Sequence, residues 1–370
     1  MSNQQDTKKK NPNVPTLRFP RFSDQWHQTE IGALVEINPR NKKDIPDSFL
    51  YIDLESVKRG ELVKHVISDK KGAPSRAQRL LEEGDILYSC VRPYQHNNYL
   101  FTDSQTAVAS TGFACLRGAE CPEFLYQLLN TDRFTNAVLE RCTGTSYPAI
   151  NSTDLSSIKV MLPSKNEQLA IGTLIGLIDS KITVQNKIIE ELSTLIIQLC
   201  RTMRTSQDCH LGDLCSCKTS QIKEGDLQPV GQYPVYGAAG LAGRLDTFEF
   251  SKPGIAIIKD GAGVGRSYEI KSEHYSVLGT MALLLPNDGV PTSFLWAAVL
   301  GLNFKSYVVG SGIPHIYFKN YSHAEIAEPS TYNITLSRLI SLLKGKRENA
   351  EEALTSLQSQ KAFFLANMFI

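Results

Sequence analysis

The sequence has almost no net charge: 39 Lys+Arg stand against 38 Asp+Glu over 370 residues, a balance of +1. That excludes a strongly basic, chromatin-like polyelectrolyte and equally an acidic disordered tail. At first sight it also weighs against a nucleic-acid partner. Long apolar runs are missing too. The longest helical apolar stretch, Leu169 to Ile178, is stopped by Asp179 after about half of the ~20 residues that a membrane span needs, so no membrane association is expected. Cysteine is sparse: eight residues lie scattered from Cys90 to Cys217, without the dense spacing of a secreted disulfide scaffold. A reducing cytoplasm is the expected compartment. The polar opening, Met1 to Asn13, carries Lys8, Lys9 and Lys10 with no apolar stretch behind them, so no secretory signal is expected.

The common catalytic motifs are absent as well. There is no Gly-x-x-x-x-Gly-Lys-Ser/Thr loop for a nucleoside triphosphate, no His-Glu-x-x-His, and no Asn-Pro-Pro-aromatic tetrad of the kind that amino-methyltransferases place against a target base. Gly261-Ala262-Gly263-Val264-Gly265 follows a strand, but a dinucleotide fingerprint needs a helix next, and Arg266-Ser267-Tyr268-Glu269-Ile270 reads as another strand. Two readings stay open for it: a plain tight turn, or a hairpin whose bare backbone approaches a phosphate chain between Lys259 and Arg266. Cys209, His210, Cys215 and Cys217 cluster but lack the Cys-x-x-Cys spacing of a zinc knuckle, so buried reduced thiols are expected and no metal. No catalytic residue and no cofactor of its own is expected in this chain.

What the sequence does have is a duplication. Ile171, Ile175, Ile178, Ile182, Gln185, Ile189, Leu192, Ile196, Leu199 and Met203 follow in steps of four and three, the seam of a heptad pattern. Adding 165 to each number gives Leu336, Ile340, Leu343, Arg347, Ala350, Leu354, Leu357, Lys361, Phe364 and Met368. The text before each seam also repeats: Gly144-Thr145-Ser146-Tyr147-Pro148-Ala149-Ile150 is answered by Gly310-Ser311-Gly312-Ile313-Pro314-His315-Ile316. Pro163 is answered by Pro329, and Ile31-Gly32-Ala33-Leu34 more weakly by Leu211-Gly212-Asp213-Leu214. One unit has been used twice, a globular part followed by a long helix.

Helix one should run from about Lys165 to Arg204, after a capping-box pattern of Ser164 and Glu167, and helix two from about Ile334 to the C-terminus. Each would be roughly 50 to 60 Å long, too long to be buried in one small domain. An amphipathic rod must bury its stripe, and the simplest solution is an antiparallel coiled coil of the two rods; the alternative is that each stripe packs onto its own globular part. Gln185, Arg347 and Lys361 interrupt the seams, and Gly172, Gly176 and Gly345 each cost a helix about 1 kcal/mol relative to Ala. The globular parts read as mixed α/β (α+β): Glu83 to Tyr88 and Lys252 to Ile258 look like turns entering buried strands, while Pro122 to Leu139 and Pro291 to Leu302 carry helical apolar spacing. The expected partition is an N-terminal arm (1–20), a first domain (21–163), a first long helix (164–205), a second domain (206–329) and a second long helix (330–370).

Arg92-Pro93-Tyr94-Gln95-His96-Asn97-Asn98-Tyr99 is a polar loop mixing an Arg, amides and aromatics. Asn and Gln can bond adenine bidentately, Arg can do so with guanine, and Tyr can stack or reach a phosphate. Alone the segment is no more than an ordinary solvated loop. Its weight comes from lying at the same place in the first half as the Gly261 hairpin in the second.

Two α/β domains, each followed by a heptad helix and each with a Gly-rich Pro-x-Ile signature before it, resemble the specificity subunit of type I restriction-modification systems. Val14-Pro15-Thr16-Leu17-Arg18-Phe19-Pro20 with Trp26, Gly84-Asp85-Ile86-Leu87, and Tyr233-Pro234-Val235-Tyr236-Gly237 extend the resemblance over nearly the whole chain from Val14 onward. It implies a non-catalytic reader of double-stranded DNA whose globular parts are target recognition domains. Two methyltransferase subunits would dock on the helices, with restriction subunits as optional further partners. S-adenosylmethionine, ATP and Mg would sit on those partners, and the complex would be an adenine-specific methyltransferase and ATP-dependent endonuclease. Antiparallel helices would set the domains about a pseudo-two-fold axis, as half-site readers require, and unlike domains imply a split asymmetric target. The expected DNA contacts are Arg92, Tyr94, Gln95, Asn97, Asn98, Thr145, Ser146 and Tyr147 in the first domain, and Tyr236, Lys259, Arg266, Ser311 and His315 in the second. Helix pairing and partner docking are expected at Ile171, Ile175, Ile178, Ile189, Leu192 and Leu199, and at Leu336, Ile340, Leu343, Leu354, Leu357 and Phe364. The rival readings are a fragment of a self-contained restriction or modification enzyme and a coiled-coil adaptor with no DNA role.

Overall fold

The computed structural model describes residues 14–203, 209–310, 312–326 and 328–370. The chain divides into two compact units, one made of Met1–Gln185 with Ala353–Ile370 and the other of Asn186–Glu352. Each unit therefore takes a globular part together with a share of both long helices.

In the first unit a four-stranded sheet runs in the order Glu36–Ile37, Phe113–Arg117, Ile86–Ser89, Tyr99–Leu100. The run Ile86-Leu87-Tyr88-Ser89 is buried along its whole length, and the two-residue period of a strand explains how. Ile86 and Tyr88 face one core, with Leu116 and the helix Pro122–Leu129, while Leu87 faces another, with Phe113 and Cys115. A second sheet, ordered Val66–Asp69, Ser48–Ile52, Ala107–Ser110, Ala77–Leu80, supplies Leu50, Ile52 and Ala109 to that other core. Entry to the central strand is fixed by Gly84, whose φ of +87° suits a glycine, and by Asp85. The Asp85 carboxylate accepts from the Glu82 amide at 2.8 Å and takes both Nε (2.8 Å) and Nη2 (2.5 Å) of Arg117.

The second unit repeats the plan. Its four-stranded sheet runs Cys215–Thr219, Met281–Pro286, Gly254–Ile258, Ser267–Ile270, the counterpart order, and again follows a four-residue helix, Leu211–Leu214 here and Ile31–Leu34 before. Ile255 and Ile257 point to one core with Leu284 and the helix Thr292–Leu300, and Ala256 and Ile258 to another with Leu283 and Val277. The apolar spacing across Pro122 to Leu139 conceals a break: two helices, Pro122–Leu129 and Asp132–Leu139, meet at Thr131, whose hydroxyl caps the second by accepting from the Phe134 amide at 3.2 Å.

The long helices span Lys165–Thr202 and Thr331–Asn367, 38 and 37 residues. The second starts three residues earlier than expected, while Arg204 lies outside the described residues. All the seam positions are buried or half-buried, and the exposed apolar residues Leu177, Val184, Leu339 and Leu342 lie off it. In the first unit the start of helix one and the end of helix two share a core through Ile171, Ile175, Phe364 and Met368. In the second unit the end of helix one and the start of helix two share another, through Ile196, Leu199, Leu336 and Ile340. The helices thus pair antiparallel. Lys361, a polar interruption of the seam, bonds Asp179 at 2.6 Å, and Asp179 also accepts from Gln127 at 2.7 Å.

The start of helix one is fastened by a buried pair. Glu167, with no exposed surface, receives Nε and Nη2 of Arg18 at 2.7 Å each, so its carboxylate serves the N-terminal arm and not the capping box that its spacing from Ser164 suggested. The Leu17 amide donates to the Asn367 carbonyl at 2.9 Å, which lays that arm on the end of helix two.

Candidate nucleic-acid interface

In the first unit the chain leaves strand Ile86–Ser89 into a loop held between two residues in the left-handed region, Arg92 (φ 52°) and His96 (φ 52°), with a single 3-10 turn, Pro93–Gln95, between them. Non-glycine residues enter that region at a cost, so such a loop is fixed by its surroundings. The neighbouring segment supplies the hold. The Arg92 amide donates to the Pro148 carbonyl at 2.9 Å, the Ile150 amide to Cys90 at 3.0 Å, and Thr143 and Ala149 exchange two bonds at 2.9 and 3.0 Å. Gly144, at φ +87°, allows the hairpin to close, since a Cβ there would lie 3.0 Å from the Tyr147 carbonyl oxygen.

The same frame stands in the second unit. The Gly261 amide donates to the Pro314 carbonyl at 2.9 Å, the Ile316 amide to Lys259 at 2.9 Å, and Val309 and His315 exchange two bonds at 2.9 and 2.8 Å. Gly310 takes the place of Gly144, at φ +93° and with the Ile313 carbonyl oxygen 2.6 Å from where its Cβ would be. By this bonding Arg92 corresponds to Gly261, the residue before it to Asp260, Cys90 to Lys259, and Ala149 to His315.

On this frame the first unit brings Arg92 and Tyr147 together, and Tyr94, Gln95, Thr145 and Ser146 are exposed on the same two loops. The Arg92 guanidinium stacks over the Tyr147 ring at 4.2 Å, and Tyr147 is 65% exposed. The Asn97 side chain donates to Gln95 Oε1 at 3.2 Å and accepts from the Arg59 amide at 3.1 Å, bringing a further cation beside the loop. Asn98 is different: it is 1% exposed, its oxygen accepts from the Ser89 amide at 2.9 Å and its nitrogen donates to Asn130 at 3.0 Å. Its amide is used up inside the domain.

In the second unit Lys259 and His315 meet at Asp260, and Arg266 stands on the same hairpin, its carbonyl accepting from the Ile258 amide at 2.9 Å. The Arg266 side chain is exposed and its guanidinium lies beside Gly263, so close that a Cβ there would lie 2.5 Å from Nη2. His315 Nδ1 lies 2.7 Å from Asp260 Oδ1, and Lys259 Nζ 3.4 Å from Asp260 Oδ2. Tyr317, whose ring is near-parallel to that of His315, and Lys319, 5.8 Å from the Tyr317 ring, flank the pair. Sequence reading missed Asp260, Tyr317 and Lys319; the signal for the last two is the aromatic and cation directly after the Pro-His-Ile signature. Tyr236 is turned to Ser272, 2.9 Å away, and to the Tyr275 ring, as part of the domain's packing. Ser311 lies outside the described residues.

Burial pushes the thiols up, Cys90 to about 11 and Cys200 and Cys215 to about 12, which is the opposite of an activated nucleophile. Among the described residues no group of three His, Cys, Asp or Glu side chains is placed to hold a metal ion. No described helix is long and apolar enough to cross a membrane.

The family model of the type I restriction modification DNA specificity domain matches residues 4–194. A curated relative, the type I restriction enzyme HindI specificity subunit of Haemophilus influenzae, is 28% identical over 179 residues, which is 46% of this chain and 39% of that protein. The match therefore spans about two fifths of the length of that relative. The crystal structure of a type I restriction-modification system S subunit from M. genitalium superposes with a TM-score of 0.65 at 16% identity, covering 96% of this chain and 99% of that one. It is a likeness of fold over both halves.

Proposed function

Since the chain belongs to the type I restriction modification DNA specificity family, we propose that it is a DNA sequence-recognition subunit with no active site of its own, reading a split asymmetric target with two domains. The observation that carries this is the duplicated loop frame: the same backbone bonds present Arg92 and Tyr147 in one unit and Lys259, Asp260 and His315 in the other. Two copies of one frame bearing different side chains are what a reader of two different half-sites needs. Phosphate binding demands positive charge locally, and Arg59, Lys259, Arg266 and Lys319 supply it beside the two loops whatever the balance over the whole chain.

The partners would be double-stranded DNA and two methyltransferase subunits docked along the long helices, with restriction subunits as an optional addition, all in the cytoplasm. S-adenosylmethionine, ATP and Mg would be bound by those partners. The test is to map methyladenine in host DNA with and without the gene. A split motif whose methylation vanishes on deletion is expected; unchanged methylation, or methyl transfer by the purified chain with S-adenosylmethionine alone, would overturn the reading.

A further inference from the structure

The equivalence of the two loop frames makes their side chains comparable position by position. In the first unit the frame carries a guanidinium, donor-only, with its Nε buried and unbonded and its plane stacked on Tyr147. In the second the guanidinium's place is taken by Gly261, and the residue before it brings a carboxylate to the surface. The Asp260 side chain is 30% exposed and His315 35%, so the pair is neither core nor free in solvent. A carboxylate on a loop that approaches DNA is repelled by phosphate, which Lys259 and Arg266 are there to meet. His315 and Lys259 each face one of its oxygens, and the lone pairs they leave are matched only by a donor; the donors on a base edge in the major groove are the exocyclic amines of adenine and cytosine. His315 Nδ1 lies 2.7 Å from Asp260 Oδ1, which fixes the orientation of the carboxylate on the loop.

We propose that the two loops read bases with opposite hydrogen-bond polarity, Arg92 donating to a guanine in one half-site and the Asp260 carboxylate, oriented by His315, accepting from the exocyclic amine of an adenine or cytosine in the other. The assignment rests on the recognition role proposed above and deepens it by giving each half-site one base class. The glycine at 261 leaves room for the base to come against the carboxylate, where the first unit has a long side chain instead.

The test uses the full chain and duplexes carrying the motif found by methyladenine mapping, together with duplexes substituted at one base pair each. For the wild type, a wrong base at a contacted position should weaken binding about tenfold to a hundredfold. Arg92→Ala should lose that discrimination at a guanine in one half of the motif only. Asp260→Ala should lose it at an adenine or cytosine in the other half only, and the identity of that base tells which amine is read. Each variant should keep full discrimination in the half it does not touch, which shows that it is folded. Should Asp260→Ala not fold, Asp260→Ser is judged by the same ratio. Uniform weakening across all duplexes by Asp260→Ala, unchanged discrimination, or relaxation of the same half by both variants would overturn the proposal. A wild-type chain that discriminates at no position would overturn the recognition role itself.

Discussion

The guanidinium of Arg92 lies 4.2 Å from the centre of the Tyr147 ring, although 55 residues separate them in the chain. Two constraints hold the arginine there: its backbone sits in the left-handed region and its amide is bonded to Pro148. A planar fork held on an aromatic face loses little freedom when it binds, which separates it from a lysine at the same place. Arg92→Ala should weaken binding to the cognate duplex tenfold or more, and Arg92→Lys should recover only part of that. Tyr147→Ala removes the platform alone, and at an exposed site this is worth about 0.5–1 kcal/mol, a loss of roughly two- to fivefold. Titration of labelled duplex at fixed salt checks all three. Unchanged cognate affinity in both Arg92→Ala and Arg266→Ala would remove these loops from the interface.

Gly172 and Gly176 look alike in the sequence, two glycines inside one helix, yet opposite outcomes are expected for replacing them. A Cβ on Gly172 would lie 2.8 Å from the backbone nitrogen of Phe124 and 3.2 Å from Glu123, atoms that cannot swing aside. Gly172→Ala should therefore be destabilising by about 1–3 kcal/mol in spite of the better helix former. Nothing lies within 4 Å of the corresponding point on Gly176, so Gly176→Ala should stabilise by up to about 1 kcal/mol. Urea denaturation of the two variants beside the parent decides.

The rods and the duplication were legible because each rests on a periodic signal: the 4-3 spacing survives in the burial of every seam position, and the Gly-to-Ile signatures return as one set of backbone bonds. The buried strands were legible for the same reason, as short apolar runs after a turn. The break at Thr131 was not, because apolar spacing runs through it and only the hydroxyl cap marks it. Asp260 was hidden because an aspartate entering a glycine-rich turn reads as a turn former, and its partner His315 lies 55 residues away. Asn98 reads as a loop side chain in the sequence, since its two partners, Ser89 and Asn130, come together only through the fold. What stayed illegible is long-range polar pairing, which leaves no period in the chain.

Cysteine chemistry gives a prediction with a definite sign. For Cys200 and Cys215 burial disfavours the charged form and pushes the thiol up to about 12. At pH 8 the thiolate fraction is then about one in ten thousand, against roughly a quarter for an ordinary exposed thiol. Both should resist iodoacetamide in the folded chain and react once urea unfolds it. Peptide mapping after alkylation reads this directly, and rapid labelling of Cys200 in the native protein would contradict the burial.

Lys344 of the second long helix reaches Glu269 at 3.1 Å, each side chain 9% exposed, and its ammonium lies 4.4 Å from the centre of the Trp296 ring. Glu269 stands on the strand Ser267–Ile270, directly after the hairpin that bears Arg266, so this pair ties the helix to that hairpin within one unit. Removing one partner of a buried pair leaves the other charged in a poor solvent and costs about 3–5 kcal/mol, whereas removing both can be close to neutral. Lys344→Met should accordingly destabilise the chain strongly, and adding Glu269→Gln should return most of the loss. Hydrogen exchange separates this from a general loosening: in Lys344→Met the amides of Ile255 and Glu269, paired across the two strands, should lose protection before those of Phe113 and Ala114 in the first unit. Equal loss in both places would show that the pair fastens more than this hairpin.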